Sequence, residues 1–425
     1  MSNFFNFERV KIPTIQATHV GYKSQLLLED GTTYEGMGFG FPKIVGGEVV
    51  FNTGMVGYSE TLTDPSYKGQ ILCMTYPLIG NYGVPSWDDL DAFGLPRYFE
   101  SERIQVNGLI VNELSTVASH WDCERTLDQW LYDEKISGIS GIDTRDLTKR
   151  LRVDGVMRGA LCVSPDKIDN NELVRAMSET KYDGFNFMPE VSVSEIREYG
   201  SQTLPPVVLI DTGVKYSIIR NIIRIGFRVI CVPWDTPTID ILSYSPVGVV
   251  ISNGPGDPKM CKSTIKTAND LIHLSVPTLG ICLGNQIIAL AGGGNTQKLK
   301  FGHRGQNKAC TEVGTNRTFI TSQNHGYGIE PESLRATEFD VWYLNTDDRT
   351  IEGVTHRSKP ILAVQFHPEA SPGPYDCMFV FEKFKEMILN DNIGYQRQKP
   401  ENMTTSSRTG TKEKKKGGRK GVSEK

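Results

Sequence analysis

The sequence predicts an α/β protein, with a doubly wound parallel sheet in its C-terminal half and a mixed α/β domain in its N-terminal half. Three observations predict it. From Val207 onward, short apolar runs alternate with stretches of helical period, as in a parallel sheet covered on both faces. One of those runs ends in a Gly-x-Cys-x-Gly turn, Gly280 to Gly284, and a second apolar run follows at once. The first half instead opens on a strand–turn–strand pattern, is rich in glycine up to about Gly83, and has no clear repeat.

Five segments are expected in chain order: an extension (1–20), an N-terminal domain (21–188), a linker (189–206), a C-terminal domain (207–395) and a tail (396–425). In the N-terminal domain, Ser24 to Gly36 reads as two strands with Asp30-Gly31 at the bend. Asp143 to Arg152 reads as a short helix with Asp143 or Thr144 as its N-cap. Pro189 to Pro206 is polar and ends in Pro-Pro, which marks it as the linker.

The C-terminal domain is read more finely. Val207 to Asp211 suits a strand buried on both faces. Val214 to Ile225 carries isoleucines 218, 219, 222, 223 and 225 on a helical stripe closed by Gly226. Arg228 to Val232 and Pro246 to Ser252 are the next strands, and Asn253-Gly254-Pro255-Gly256-Asp257-Pro258 turns after the second. Met260 to Leu274 is helical in pattern, and Val276 to Leu279 leads into the cysteine turn. Ile361 to Phe366 reads as a buried strand ending in His367-Pro368-Glu369. Sites in such sheets lie beyond the carboxyl ends of strands, so the Gly254–Gly256 turn, Cys282 and His367 should line one crevice.

Composition excludes several classes. The chain has 425 residues, 38% hydrophobic and 23% charged, enough to bury full cores in two or three domains. A net charge of −4 makes no whole-chain case for nucleic acid. No apolar stretch approaches the roughly 20 residues of a membrane span, and the first residues lack a signal-peptide core. The eight cysteines include no C-x-x-C pair and the seven histidines no H-x-x-x-H, so neither a disulfide framework nor a metal site is expected. A cytoplasmic location is the default. Arg408 to Lys425, rich in Lys, Gly, Ser and Thr, reads as a disordered, solvated tail.

The chemistry rests on Cys282. A cysteine on a strained strand-to-helix turn sits at a helix N-terminus, where the dipole favours the thiolate. The backbone N–H of Leu283 can meet a developing oxyanion. A nucleophile needs a base, and a base needs an orienter. Residues two apart on an extended segment point the same way, so His367 and Glu369 can share one side. Cys282, His367 and Glu369 thus make an acyl-transfer triad by role.

GICLGNQ (280–286), HPE (367–369) and NGPGDP (253–258) resemble a class I, triad-type glutamine amidotransferase domain. Four further stretches, Glu48 to Gln70, Thr75 to Asn81, Ser140 to Arg150 and Lys300 to Asn307, resemble the small, glutamine-hydrolysing subunit of carbamoyl-phosphate synthetase. The likeness runs from about Tyr22 to about Met387. It implies that Cys282 attacks the carboxamide of glutamine, that His367 is base and acid, and that Glu369 orients it. It also implies an oxyanion hole from the amides of Leu283 and the Gly254–Gly256 turn. Gln286 and the segment Asn324-His325-Gly326-Tyr327 match positions that hold glutamine, with His325 and His303 in supporting roles. The ammonia would pass to a separate large subunit, which would use bicarbonate and two ATP, with Mg2+, to make carbamoyl phosphate for arginine and pyrimidine synthesis.

The partner should bind the ATP, since this chain has no G-x-x-x-x-G-K-[ST] loop and is too short to include the large subunit. No cofactor, membrane or nucleic acid is expected. Two positions depart from the pattern. Asn285 stands where many relatives have His, which should alter support rather than chemistry. Gly54 stands where many have Ser, so it can offer glutamine only its backbone, and affinity should suffer. Rival readings are another amidotransferase of the class, a catalytically silent subunit and a stand-alone γ-glutamyl hydrolase. The N-terminal motifs argue against the first and the intact triad against the second.

Overall fold

The structure, a computed structural model, describes residues 14–315 and 317–398. Its N-terminal strands are β1 (Thr14–Gln16), β2 (Val20–Leu28), β3 (Thr33–Gly40), β4 (Ile44–Asn52) and β5 (Gln70–Ile79). They continue with β6 (Gly108–Leu114), β7 (Val117–Ser119), β8 (Ser137–Ser140) and β9 (Met157–Ser164). Four helices fall among them: α1 (Tyr58–Leu62), α2 (Leu127–Asp133), α3 (Thr144–Asp154) and, after β9, α4 (Asn170–Glu179). The expected hairpin is β2–β3, with Leu27 opposite Thr33. The expected helix is α3, and Asp143 is its N-cap, accepting from the Asp146 N–H at 2.9 Å.

Seven of these strands close into a barrel in the order β2-β3-β8-β6-β5-β4-β9. Alternate residues of the strands, Leu26, Leu28, Val49, Ile71, Cys73, Ile110 and Ile139, meet in one cluster with Leu147 and Leu151 of α3. Strands from opposite walls touch only through a lumen, so this cluster fills the barrel. The other face of the same strands, with Val50, Leu72 and Leu109, packs with Tyr58, Leu62 and Trp130 outside it.

The C-terminal unit holds β10 (Arg197–Tyr199), β11 (Pro206–Asp211), β12 (Arg228–Pro233), β13 (Gly248–Ile251) and β14 (Thr278–Ile281). Then come β15 (Thr296–Glu312), β16 (Thr318–Ile329), β17 (Phe339–Asn345), β18 (Ile351–His356) and β19 (Ile361–Val364). Its helices are α5 (Met188–Val191), α6 (Tyr216–Arg224), α7 (Thr238–Ser243), α8 (Lys262–His273), α9 (Leu283–Ala291) and α10 (Phe379–Gln398). The strands form one sheet, β10-β12-β11-β13-β14-β19-β18-β16-β15-β17, parallel from β12 to β19. Val207 and Leu209 belong to the core under α6 and α10; Val208 and Ile210 belong to the core under α8 and α9. Helices therefore cover both faces, as the continuous apolar strands require.

Three expectations shift. The stretch expected as a linker, 189–206, carries the polar strand β10, which pairs antiparallel with β12 at the sheet edge. Edge strands are short and polar, so this one reads as loop in sequence. In the expected extension, Thr14–Gln16 pairs with β7 and the Thr18 and His19 amides donate to Asp128, so the last part of 1–20 is tied to the barrel. The boundary at 395 falls inside α10, while residues 399–425, nearly all of the expected tail, lie outside the described residues.

Candidate active site

Cys282 lies between β14 and α9 with φ 54° and ψ −101°, a conformation that non-glycine residues rarely hold. The turn is anchored by the Cys282 N–H donating to Val364 O at 2.8 Å. Its glycines are compelled by space: a Cβ on Gly284 would come within 2.1 Å of Ile251 O. Leu283 opens α9, so its N–H has no acceptor within the helix. Gly254 approaches the neighbouring strand end so closely that a Cβ would lie 1.9 Å from Thr212 O.

His367 stands three residues beyond the end of β19, held by its N–H to Ser322 O at 2.9 Å. Its Nδ1 is 2.6 Å from Glu369 Oε1, and its Nε2 is buried without a hydrogen-bond partner. Lys215, at the N-cap of α6, places Nζ 3.1 Å from that same carboxylate oxygen. All three side chains are buried. Burial would lower the His367 pKa, but the Glu369 carboxylate outweighs it, helped by the Cys282 sulfur, and holds the imidazolium well above the usual range. Burial likewise opposes charge on Glu369, and Lys215 and His367 overcome it, holding the carboxyl below its usual range.

Cys282 opens onto a cavity of about 20 Å³ lined by Gly254, Pro255, Gly256, Gln286, Asn324, His325, Gly326 and Tyr327. That is room for about one water, so a glutamine side chain enters only if the walls give. The fold thus brings together three distant sequence motifs. Several of their polar groups already have protein partners. Gln286 Nε2 donates to Tyr327 O at 2.7 Å, Asn324 Nδ2 to Asp64 Oδ2 at 2.8 Å, and Tyr327 OH to Asp183 Oδ1 at 3.2 Å. Asn285 donates to Gln365 Oε1 at 3.2 Å, and Gln365 Nε2 lies 3.7 Å from Cys282 Sγ.

Gly54 is elsewhere. It does not line this cavity, and its N–H is spent on Asn52 Oδ1 at 2.6 Å. The N-terminal unit does put a serine on the cavity wall, Ser66, on a 3-10 turn (Pro65–Tyr67) capped by Asp64. Gln70, Tyr182 and Arg304 complete the wall. Sequence reasoning missed these residues and Lys215. The lysine had a signal: it follows the carboxyl end of β11, where sites in such sheets are built. Ser66 had none beyond its place in the TDPSY stretch.

A second histidine cluster lies nearby. His303, His325 and Glu352 bring ligand-type atoms within 4.8 Å of one another, an arrangement that no sequence spacing announced. His303 Nε2 is 2.9 Å from Asp348 Oδ2 and its Nδ1 3.3 Å from Glu352 Oε1. Burial opposes charge on His303, but the two carboxylates prevail and raise its pKa to about 9. His325, whose Nδ1 lies 2.8 Å from Tyr327 O, is driven the other way, well below its usual range, by burial and then by His303.

Residues 26–161 match the family described as carbamoyl-phosphate synthase small chain, CPSase domain, and residues 208–387 match class-I glutamine amidotransferase. A carbamoyl phosphate synthase small chain of Methanopyrus kandleri is 46% identical over 368 residues, covering 86% of this chain and 99% of the relative. One of Pyrococcus furiosus is 45% identical over 368 residues, covering 86% and 98%. The multifunctional protein CAD of Squalus acanthias is 44% identical over 379 residues, covering 88% of this chain and 16% of that one.

Proposed function

Because this chain belongs to the family of carbamoyl-phosphate synthase small chains, we propose that it hydrolyses L-glutamine at Cys282 and delivers the ammonia to a large subunit. The observation that carries the catalytic reading is His367: Nδ1 is bound to Glu369, and Nε2 is buried with no hydrogen-bond partner while the Cys282 sulfur acts on the same ring. The Cys282 thiolate attacks the γ-carboxamide carbon. Negative charge on the carbonyl oxygen is met by the amides of Leu283 and the Gly254–Gly256 turn. His367 passes a proton from Nε2 to the departing nitrogen, since ammonia leaves poorly unless protonated. A γ-glutamyl thioester remains. His367 then takes a proton from water, the hydroxide adds to the thioester, and glutamate departs as the thiolate reforms.

Glu369 and Lys215 hold the imidazole in register through these steps. Gln286, Asn324, Gly326, Tyr327 and the newly placed Ser66 are the groups we assign to the glutamine zwitterion, with Arg304 facing its carboxylate. Gly54, off the cavity wall and with its N–H on Asn52, is given no part in holding glutamine. The large subunit takes the ATP, Mg2+ and bicarbonate, and the product is carbamoyl phosphate for arginine and pyrimidine synthesis. We assign the chain to the cytoplasm. Among the described residues no helix is long and apolar enough to cross a membrane, and all eight cysteines are free thiols.

Ammonia release from glutamine, measured for the chain alone and with its large subunit, ATP and bicarbonate, tests the reading. Weak release that rises in the complete system supports it. Full release alone, unmoved by the partner, would favour a stand-alone hydrolase.

A further inference from the structure

Glu100 reaches out of the N-terminal unit to the start of α6. Its backbone carbonyl accepts from the Tyr216 N–H at 2.9 Å. Its carboxylate accepts from the Ser217 N–H at 3.0 Å and from the Ser217 hydroxyl at 2.5 Å. Arg220, one turn further on, has Nη1 3.7 Å from that carboxylate and Nε 2.6 Å from Asp91. The helix has no side-chain cap of its own, because its N-cap residue is Lys215. An acidic group there satisfies N–H donors that the helix leaves open and faces the positive end of its dipole. Glu100 is fully buried, so water cannot substitute for it.

The residue at that N-cap is the lysine that faces the triad. Lys215 Nζ is 3.1 Å from Glu369 Oε1, which also takes His367 Nδ1. The Lys215 N–H donates to Asn253 Oδ1 at 3.1 Å, and Asn253 Nδ2 donates to Ser66 Oγ at 2.9 Å. The lysine thus sits between a helix capped by one N-terminal residue and an asparagine held by another. We infer that Glu100 is a positioning residue for the triad: it clamps the first turn of α6 so that Lys215 holds the Glu369 carboxylate in register with His367. The inference rests on the glutaminase reading above. Its consequence is that glutaminase geometry in the C-terminal unit depends on a carboxylate from the N-terminal one.

The test is a double-mutant cycle on the full chain with its large subunit, reading kcat and KM for glutamine hydrolysis. Glu100→Ala should lower kcat about tenfold, with KM changed less than about twofold; in the Lys215→Met background the same change should move kcat less than about twofold. An unchanged kcat in Glu100→Ala, or an equal loss in both backgrounds, would overturn the inference. If Glu100→Ala does not fold, Ser217→Ala removes one donor to the carboxylate and should cost about threefold, again only when Lys215 is present. No loss there overturns it too. A wild-type chain that forms no glutamate would instead sink the glutaminase reading, and the inference with it.

Discussion

His367 and His303 are alike in most respects that make a histidine look catalytic. Both are buried, both lie against carboxylates, and both have a raised pKa. They differ in what the second nitrogen meets. His367 commits Nδ1 to Glu369 and leaves Nε2 buried without a partner, with the sulfur of the strained Cys282 acting on the ring. His303 bonds Asp348 through Nε2, while its Nδ1, also buried without a hydrogen-bond partner, faces the Glu352 carboxylate at 3.3 Å rather than a thiol; the residue stands in the ladder between β15 and β16 opposite His325. The comparison teaches that a perturbed pKa alone does not mark a general base. A free nitrogen beside a nucleophile does.

The sharpest way to break that contrast is to remove the proposed nucleophile. Cys282→Ser should lower glutamine-dependent carbamoyl-phosphate synthesis by about a thousandfold or more, while synthesis from added ammonia by the reconstituted complex stays near wild type. Loss of both activities would mean that Cys282 holds the structure together. Next comes the proposed base. His367→Asn should lower kcat for glutamine hydrolysis by about a thousandfold, and Glu369→Gln about tenfold less severely. Equal losses would show that the carboxylate does more than orient the ring.

His303→Gln should affect stability rather than chemistry. It strips the buried Glu352 of its cationic partner and should lower unfolding free energy by about 2 kcal/mol, read from urea titration. Turnover of the folded fraction should change less than about threefold. A large loss of kcat at unchanged stability would erase the distinction between the two histidines.

The same contrast explains what could be read in the sequence. Cys282, His367 and Glu369 were legible because their chemistry is local: an elbow with compelled glycines, and two residues on one side of an extended segment. Lys215 and Ser66 were not, because each meets the triad region only through long-range folding. The parallel sheet was legible from its doubly buried strands. Barrel closure was not. It depends on β2 pairing with β9, Leu26 opposite Leu161, and on parallel pairing of β4, β5, β6 and β8, none of which leaves a mark in local pattern. The β10 edge strand failed for the opposite reason: its residues, Arg197, Glu198 and Tyr199, have the polarity of a loop. The Gly54 expectation failed because sequence alone did not say which N-terminal segment reaches the cavity; the capped turn at Ser66 does.

The smallest effect is a pH dependence. His303 in the folded chain has its pKa raised from an ordinary 6.5 to about 9. A folded-state pKa above the unfolded one means that the native state binds the proton more tightly. The stabilisation is therefore fully present below about pH 6.5 and is lost as pH rises through about 9. Between pH 7 and pH 9.5, wild-type unfolding free energy should fall more steeply than that of His303→Gln, which has no proton to lose at this site. Parallel slopes in the two proteins would mean that His303 is neutral in the folded chain.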